Sequence, residues 1–75
     1  MVKRESYAVI GLGQFGSSIC DALVQAGQEV LAIDSNEEVI NEYADSVMRA
    51  VIADAQDGDA LRDLDIGSFD HVYVS

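Results

Sequence analysis

Three short apolar runs, Tyr7 to Ile10, Val30 to Ile33 and Ala50 to Ala53, recur along the chain, and a fourth run, His71 to Val74, closes it. Unbroken apolar runs of this length are the mark of strands covered on both faces in a parallel sheet. Between them the pattern changes period. From Gln14 to Ala26, Phe15, Ile19, Ala22, Leu23 and Ala26 fall at steps of three and four, which puts them on one side of a helix. Gly27 then stands where a helix-ending C′ glycine belongs. After the second run, Ser35 and Glu38 form S-x-x-E, a capping-box start for a second helix that turns Val39, Ile40, Tyr43, Ala44 and Val47 inward. Asp57 to Leu64 reads as a third, shorter helix with Asp57 as N-cap and Leu61 and Leu64 facing the interior.

The resulting order, β-α-β-α-β-α-β, predicts an α/β fold. It is a Rossmann-type doubly wound parallel sheet with right-handed crossovers and strand order 3-2-1-4. A chain of 75 residues has room for one domain or less. A parallel strand normally leads into a helix that covers the sheet, so a chain ending at Ser75 leaves Val72 and Val74 short of cover on at least one face. Residues 1–75 are therefore expected to be the N-terminal part of a single nucleotide-binding domain, a fragment of a larger lobe.

Composition narrows the function classes. Apolar residues at 49% and charged residues at 24% fit a folded globular chain and not a disordered one. Fourteen acidic side chains against four basic ones give a formal net charge of −10, which disfavours nucleic acid and anionic lipid as partners. Cys20 is the single cysteine and His71 the single histidine, so neither a disulfide framework nor a Cys- or His-rich metal site is expected. No stretch approaches the length of a membrane span and no secretory leader is evident, so a cytoplasmic location is the default.

The chemistry concentrates in "AVIGLGQFGSSIC", where Gly11, Gly13 and Gly16 form G-x-G-x-x-G between a strand and a helix. In that setting Gly11 permits the tight turn, Gly13 removes a side chain from the path of a pyrophosphate, and Gly16 lets the helix approach the strand. The backbone N–H groups of Leu12, Gly13, Gln14 and Phe15 are expected to face the phosphates from the positive end of the helix dipole. Asp34, 18 positions past Gly16 at the end of the second strand, can accept hydrogen bonds from both ribose hydroxyls and repel a 2′-phosphate. NAD or an adenine nucleotide thus fits better than NADP. Asp54 ends the third run on the same edge, where its carboxylate can accept from an adenine amino group with Ala55 against the ring; a turn-forming aspartate is the plain alternative. Cys20 reads as a small residue within the first helix, Tyr43 and Met48 as core or near-core, and Phe15 as packed beneath the glycine turn, with a dimer contact as its alternative.

Four segments, "YAVIGLGQFGSSICDAL", "EVLAIDSNEEVINEYAD", "AVIADAQDGDALRDL" and "FDHVYVS", resemble the N-terminal lobe of RCK domains, also called KTN or TrkA-N domains. The likeness is to the cytosolic regulatory subunits of Ktr/Trk-type potassium uptake systems. What the resemblance implies is a non-enzymatic module that binds NAD(H) or ATP, ADP or AMP and forms homodimers that assemble into a ring. The ring sits against a membrane potassium transporter and gates it. It further implies that Gly11, Leu12, Gly13, Gln14, Phe15 and Gly16 hold the phosphates, Asp34 with Ser35 beside it the ribose, and Asp54 and Ala55 the adenine, while Ser75 edges the pocket. Related sequences often carry Arg where Gln14 stands. Gln14 donates hydrogen bonds but neutralises no charge, which shifts the expectation from a triphosphate toward NAD(H), ADP or AMP. The alternative function is the cofactor-binding half of an NAD-dependent oxidoreductase, a role that needs a proton-handling group beside the nicotinamide.

Overall fold

A computed structural model describes residues 5–74. Strand β1 (Ser6–Ile10) leads into helix α1 (Gln14–Gln25), followed by β2 (Glu29–Asp34), α2 (Glu37–Tyr43), β3 (Arg49–Ile52), α3 (Gly58–Asp63), a 3-10 turn (Ile66–Ser68) and β4 (His71–Val74). All strand pairings are parallel and the sheet order is β3-β2-β1-β4, the Rossmann-type arrangement expected from the alternation of patterns. In register, Ile10 lies beside Ile33 on one side and Val74 on the other, and Asp34 lies beside Ile52. The carboxyl ends of all four strands therefore share one edge.

Side-chain alternation divides the interior in two. Val9, Val30 and Ala32 turn to one face and pack with Leu12, Cys20 and Ile40, beneath the α1 and α2 side chains Ile19, Leu23, Val24, Val39 and Tyr43. Ala8, Ile10, Leu31 and Ile33 turn to the other face, against Leu61, Leu64, Ile66 and Phe69 from α3 and the 3-10 turn. The change of face follows from topology: right-handed crossovers place α1 and α2 on one side while the chain moves outward to β3, and its return past β1 to β4 places α3 on the other. Burial on both faces explains why β1 and β2 read as unbroken apolar runs.

Helix ends account for the remaining local order. At the α1 C-terminus, Gly27 adopts φ +77°, the Gly27 N–H donates to the Val24 carbonyl at 3.0 Å and the Gln28 N–H to the Leu23 carbonyl at 3.1 Å. This is a Schellman cap, and it depends on a residue free to take a left-handed conformation. Asp57 caps α3 as expected, accepting from the Asp59 and Ala60 N–H groups at 3.2 Å each.

Several expectations require correction. The α2 cap is Asn36, whose side chain accepts the Glu38 N–H at 2.9 Å, and not Ser35, which stands exposed one residue earlier. The reason is that Asp34 captures the Asn36 N–H and bends the chain before the helix can begin. Helix α2 ends at Tyr43, so Val47 packs on the core from the following loop. Met48 is 61% exposed, not near-core, and Phe15 is 78% exposed instead of lying beneath the turn. Leu12 occupies the position beneath the turn. The 3-10 turn had no counterpart in the apolar pattern; it begins after Asp65, which adopts a left-handed φ of 56°. Val72 and Val74 are exposed.

Candidate nucleotide-binding site

At the end of β1 the Gly11 N–H donates to the Ile33 carbonyl at 2.8 Å, which extends the β1–β2 ladder by one rung into the turn. Gly11 then takes φ +89°, a conformation that a side chain at this position makes costly. The next N–H, that of Leu12, turns inward and donates to Oδ2 of Asp34 at 2.7 Å, while the Leu12 side chain enters the core.

Gly13 is the N-cap of α1, with extended φ −66° and ψ −166° and no side-chain cap. Its carbonyl accepts the Ser17 N–H at 2.8 Å, which is the first bond of the helix. The N–H groups of Gln14, Phe15 and Gly16 precede that bond and have no acceptor within the helix. No acidic side chain of α1 itself stands in this first turn, so the positive end of the dipole of a 12-residue helix is opposed only by the neighbouring Asp34 carboxylate. Gly16 is buried within α1, where the helix passes over the sheet. A Cβ built on Gly13 meets no atom within 4 Å, and its φ is open to any L-residue. Neither packing nor backbone conformation within the described chain explains glycine at position 13. Glycine is favoured over alanine at an N-cap, and the open position leaves the path to the first α1 N–H groups clear.

Asp34 ends β2 beside this turn. Its Oδ2 accepts from Leu12 and its Oδ1 from the Asn36 N–H at 2.8 Å, and its carbonyl accepts the Ala53 N–H at 3.0 Å. Each carboxylate oxygen keeps further lone-pair capacity, so the ribose contact remains chemically open. The Leu12 N–H, expected to face a phosphate, instead donates to Asp34. The signal for the contact was in the sequence, in the Asx spacing of Asp34 and Asn36 after a strand, but nothing local fixes the far oxygen's partner 22 residues earlier.

Asp54 lies two residues past the end of β3, exposed, and its Oδ1 accepts the Gln56 N–H at 2.8 Å. It repeats the turn that Asp34 makes with Asn36, and Ala55 beside it is also exposed. Ser75 lies outside the described residues.

The side chains with nucleophilic or acid–base chemistry stand elsewhere. Cys20 is fully buried, and burial, with a smaller contribution from Asp21, pushes its thiol up to about 11. A thiol held protonated in this way is a packing residue. His71 starts β4, at the opposite edge of the sheet from the glycine turn, where it contacts the Glu5 carboxylate. Among the described residues no three His, Cys, Asp or Glu side chains are grouped to hold a metal ion, and no helix is long and apolar enough to cross a membrane. A groove between α3 and the 3-10 turn, lined by Leu61, Arg62, Asp65 and Ile66, shares no residue with the glycine turn.

The sequence model of the TrkA-N domain matches residues 7–75. The chain belongs to the TrkA-N domain family. That family is one of Rossmann-type nucleotide-binding domains, in agreement with the sheet order and the glycine turn. This TrkA-N chain is 49% identical over 72 residues to the Ktr system potassium uptake protein C of Bacillus subtilis, a match spanning 96% of the chain and 33% of the relative. It is also 49% identical over 74 residues to the Ktr system potassium uptake protein A of the same organism, spanning 99% of the chain and 33% of the relative. Protein A of the Ktr system of Vibrio alginolyticus is 35% identical over 71 residues, 95% of the chain and 32% of the relative. The chain thus spans about a third of the length of the curated relatives it matches.

Proposed function

We propose that this TrkA-N chain is the nucleotide-sensing lobe of a regulatory subunit of a potassium uptake system, and that it binds its nucleotide to report it and not to react with it. The observation that carries the reading is Gly13: an open, side-chain-free position at an uncapped helix N-terminus, flanked by the Asp34 carboxylate. In this reading the N–H groups of Gln14, Phe15 and Gly16 hold the phosphates, with Gly11 and Gly13 shaping their cradle. The spare lone pairs of Asp34 take the ribose hydroxyls, and Asp54 and Ala55 border the adenine. Ser35, exposed and without a capping role, is at most a neighbour of the ribose.

Gln14 supplies no positive charge to the phosphates, which favours NAD(H), ADP or AMP over ATP. The relatives are named as proteins of a potassium uptake system, which supports a role in that process. In this reading the full subunit forms homodimers that assemble as a ring against a membrane potassium transporter at the cytoplasmic face. Nucleotide forms that bind two conformations of the ring unequally shift its equilibrium; a ligand held equally by both shifts nothing. Catalysis is disfavoured by position, because Cys20 is buried and His71 lies at the far edge of the sheet.

Calorimetric titration of the full-length protein with NADH, NAD, ATP, ADP and AMP tests the reading. Saturable binding of one or more, without turnover of NADH, is expected. No binding to any of them overturns nucleotide sensing, and steady consumption of NADH with a small substrate supports the oxidoreductase alternative instead.

A further inference from the structure

The geometry points to Asp34 as a positioning residue for the phosphate turn, one that shapes the turn before any nucleotide arrives. This inference rests on the nucleotide-binding reading above and deepens it. A role in ribose binding alone requires no protein hydrogen bond to either carboxylate oxygen. Asp34 has two, the Leu12 N–H at 2.7 Å and the Asn36 N–H at 2.8 Å, one on each oxygen.

The Leu12 bond matters because of where Leu12 stands. It separates Gly11, with its φ of +89°, from the N-cap Gly13, and its side chain is anchored in the core. With the Gly11 N–H held by Ile33, the Leu12 N–H held by Asp34 and the Leu12 side chain buried, the turn is tied at consecutive points. Gly13 and the first N–H groups of α1 follow directly and inherit that orientation. Hydrogen bonds to a charged acceptor are the stronger kind, and a donor rigidly aimed at an anion costs no reorganisation when the anion binds. The same carboxylate also fixes the start of α2 through Asn36, whose side chain caps that helix. One side chain therefore joins the phosphate turn to the helix that follows the ribose position.

A ligand without ribose separates the two roles of Asp34. Asp34→Ala removes both acceptor oxygens, whereas Asn keeps one able to accept the Leu12 N–H. The same Ala substitution removes a negative charge next to an anion site, which by Coulomb attraction alone improves binding of inorganic pyrophosphate. If Asp34 positions the turn, pyrophosphate affinity of the full-length protein instead falls by at least about tenfold, together with that of ADP. Amide exchange at Leu12 in the ligand-free protein also accelerates by at least about tenfold, while the Val9 and Ala32 amides keep their protection and report an intact core. Asp34→Glu keeps the charge and displaces the oxygens by one methylene, so the same loss of pyrophosphate affinity in this variant excludes an electrostatic origin. Unchanged or tighter pyrophosphate binding in Asp34→Ala, or unchanged Leu12 exchange, overturns the proposal, as does a wild-type protein that binds nucleotide but no pyrophosphate. A wild-type protein that binds neither nucleotide nor pyrophosphate refutes the nucleotide reading itself, and Leu12 exchange then still decides whether Asp34 orders the turn.

Discussion

The ring of Tyr7 stacks on that of His71, centroids 4.7 Å apart and planes 19° from parallel, across the β1–β4 pair at the edge of the sheet opposite the glycine turn. The same edge carries the His71 to Glu5 contact and a reciprocal pair in which the Ser6 N–H donates to Asp70 at 2.9 Å and the Asp70 N–H to the Ser6 hydroxyl at 3.0 Å. Among the described residues strand β4 pairs with β1 alone and its side chains are exposed, so the β1–β4 ladder and these contacts tie it down. His71→Ala is expected to speed amide exchange along His71–Val74 while leaving β2 unchanged. Because the two contacting side chains are partly solvated, the loss of global stability should stay below about 1 kcal/mol in chemical denaturation.

Two glycines of the turn should respond to alanine in opposite ways. Gly13→Ala meets open space at an ordinary φ, so stability should change by less than about 1 kcal/mol while nucleotide affinity drops by at least about tenfold. Gly11→Ala forces a side chain onto φ +89° and should cost roughly 1–2 kcal/mol of stability before any ligand is added. Thermal melts beside calorimetric titrations separate these outcomes. Equal affinity in Gly13→Ala and wild type would show that no ligand approaches position 13.

Gln14 is the first residue of α1, exposed, at the end of the helix that attracts anions. Gln14→Arg supplies the missing cation, and ATP affinity should rise relative to that of AMP, which offers fewer phosphates to it. A positive charge at a helix N-terminus opposes the dipole, so the unliganded protein should lose about 0.3–1 kcal/mol. Paired titrations and melts of the variant check both signs.

Cys20 should behave as a buried thiol. With its folded pKa pushed up to about 11, above the ordinary value of 9.0, the folded protein retains the thiol proton where the unfolded chain has released it. Its contribution to stability is thus intact below about pH 9 and is lost as pH rises through 11. Tyr43, raised by burial and by its bond to Asp21, adds to the decline at the upper end of this range. Cys20→Ala should flatten part of the loss between pH 9 and 11, and thiol reagents at pH 8 should label the wild-type protein only as fast as it opens.

The sequence by itself determined the elements, their order and the turn. Unbroken apolar runs mark β1 and β2 because both faces of a central parallel strand are covered, and Gly27 and Asp57 mark helix ends because caps are local interactions between near neighbours. Exposure at single positions was less legible. Phe15 and Met48 are apolar residues left outside, since the three-and-four spacing of a helix says which side faces inward on average but not where a first turn or a loop stops being covered. Ser35 matched a capping box, and the cap moved to Asn36 because Asp34 took that residue's N–H first. Tertiary structure alone decided the partner of Asp34. The sequence placed a carboxylate at the end of β2 beside a glycine turn, but only the parallel register of β1 and β2 brings it within 2.7 Å of the Leu12 N–H, a contact between residues 22 positions apart that no local pattern encodes.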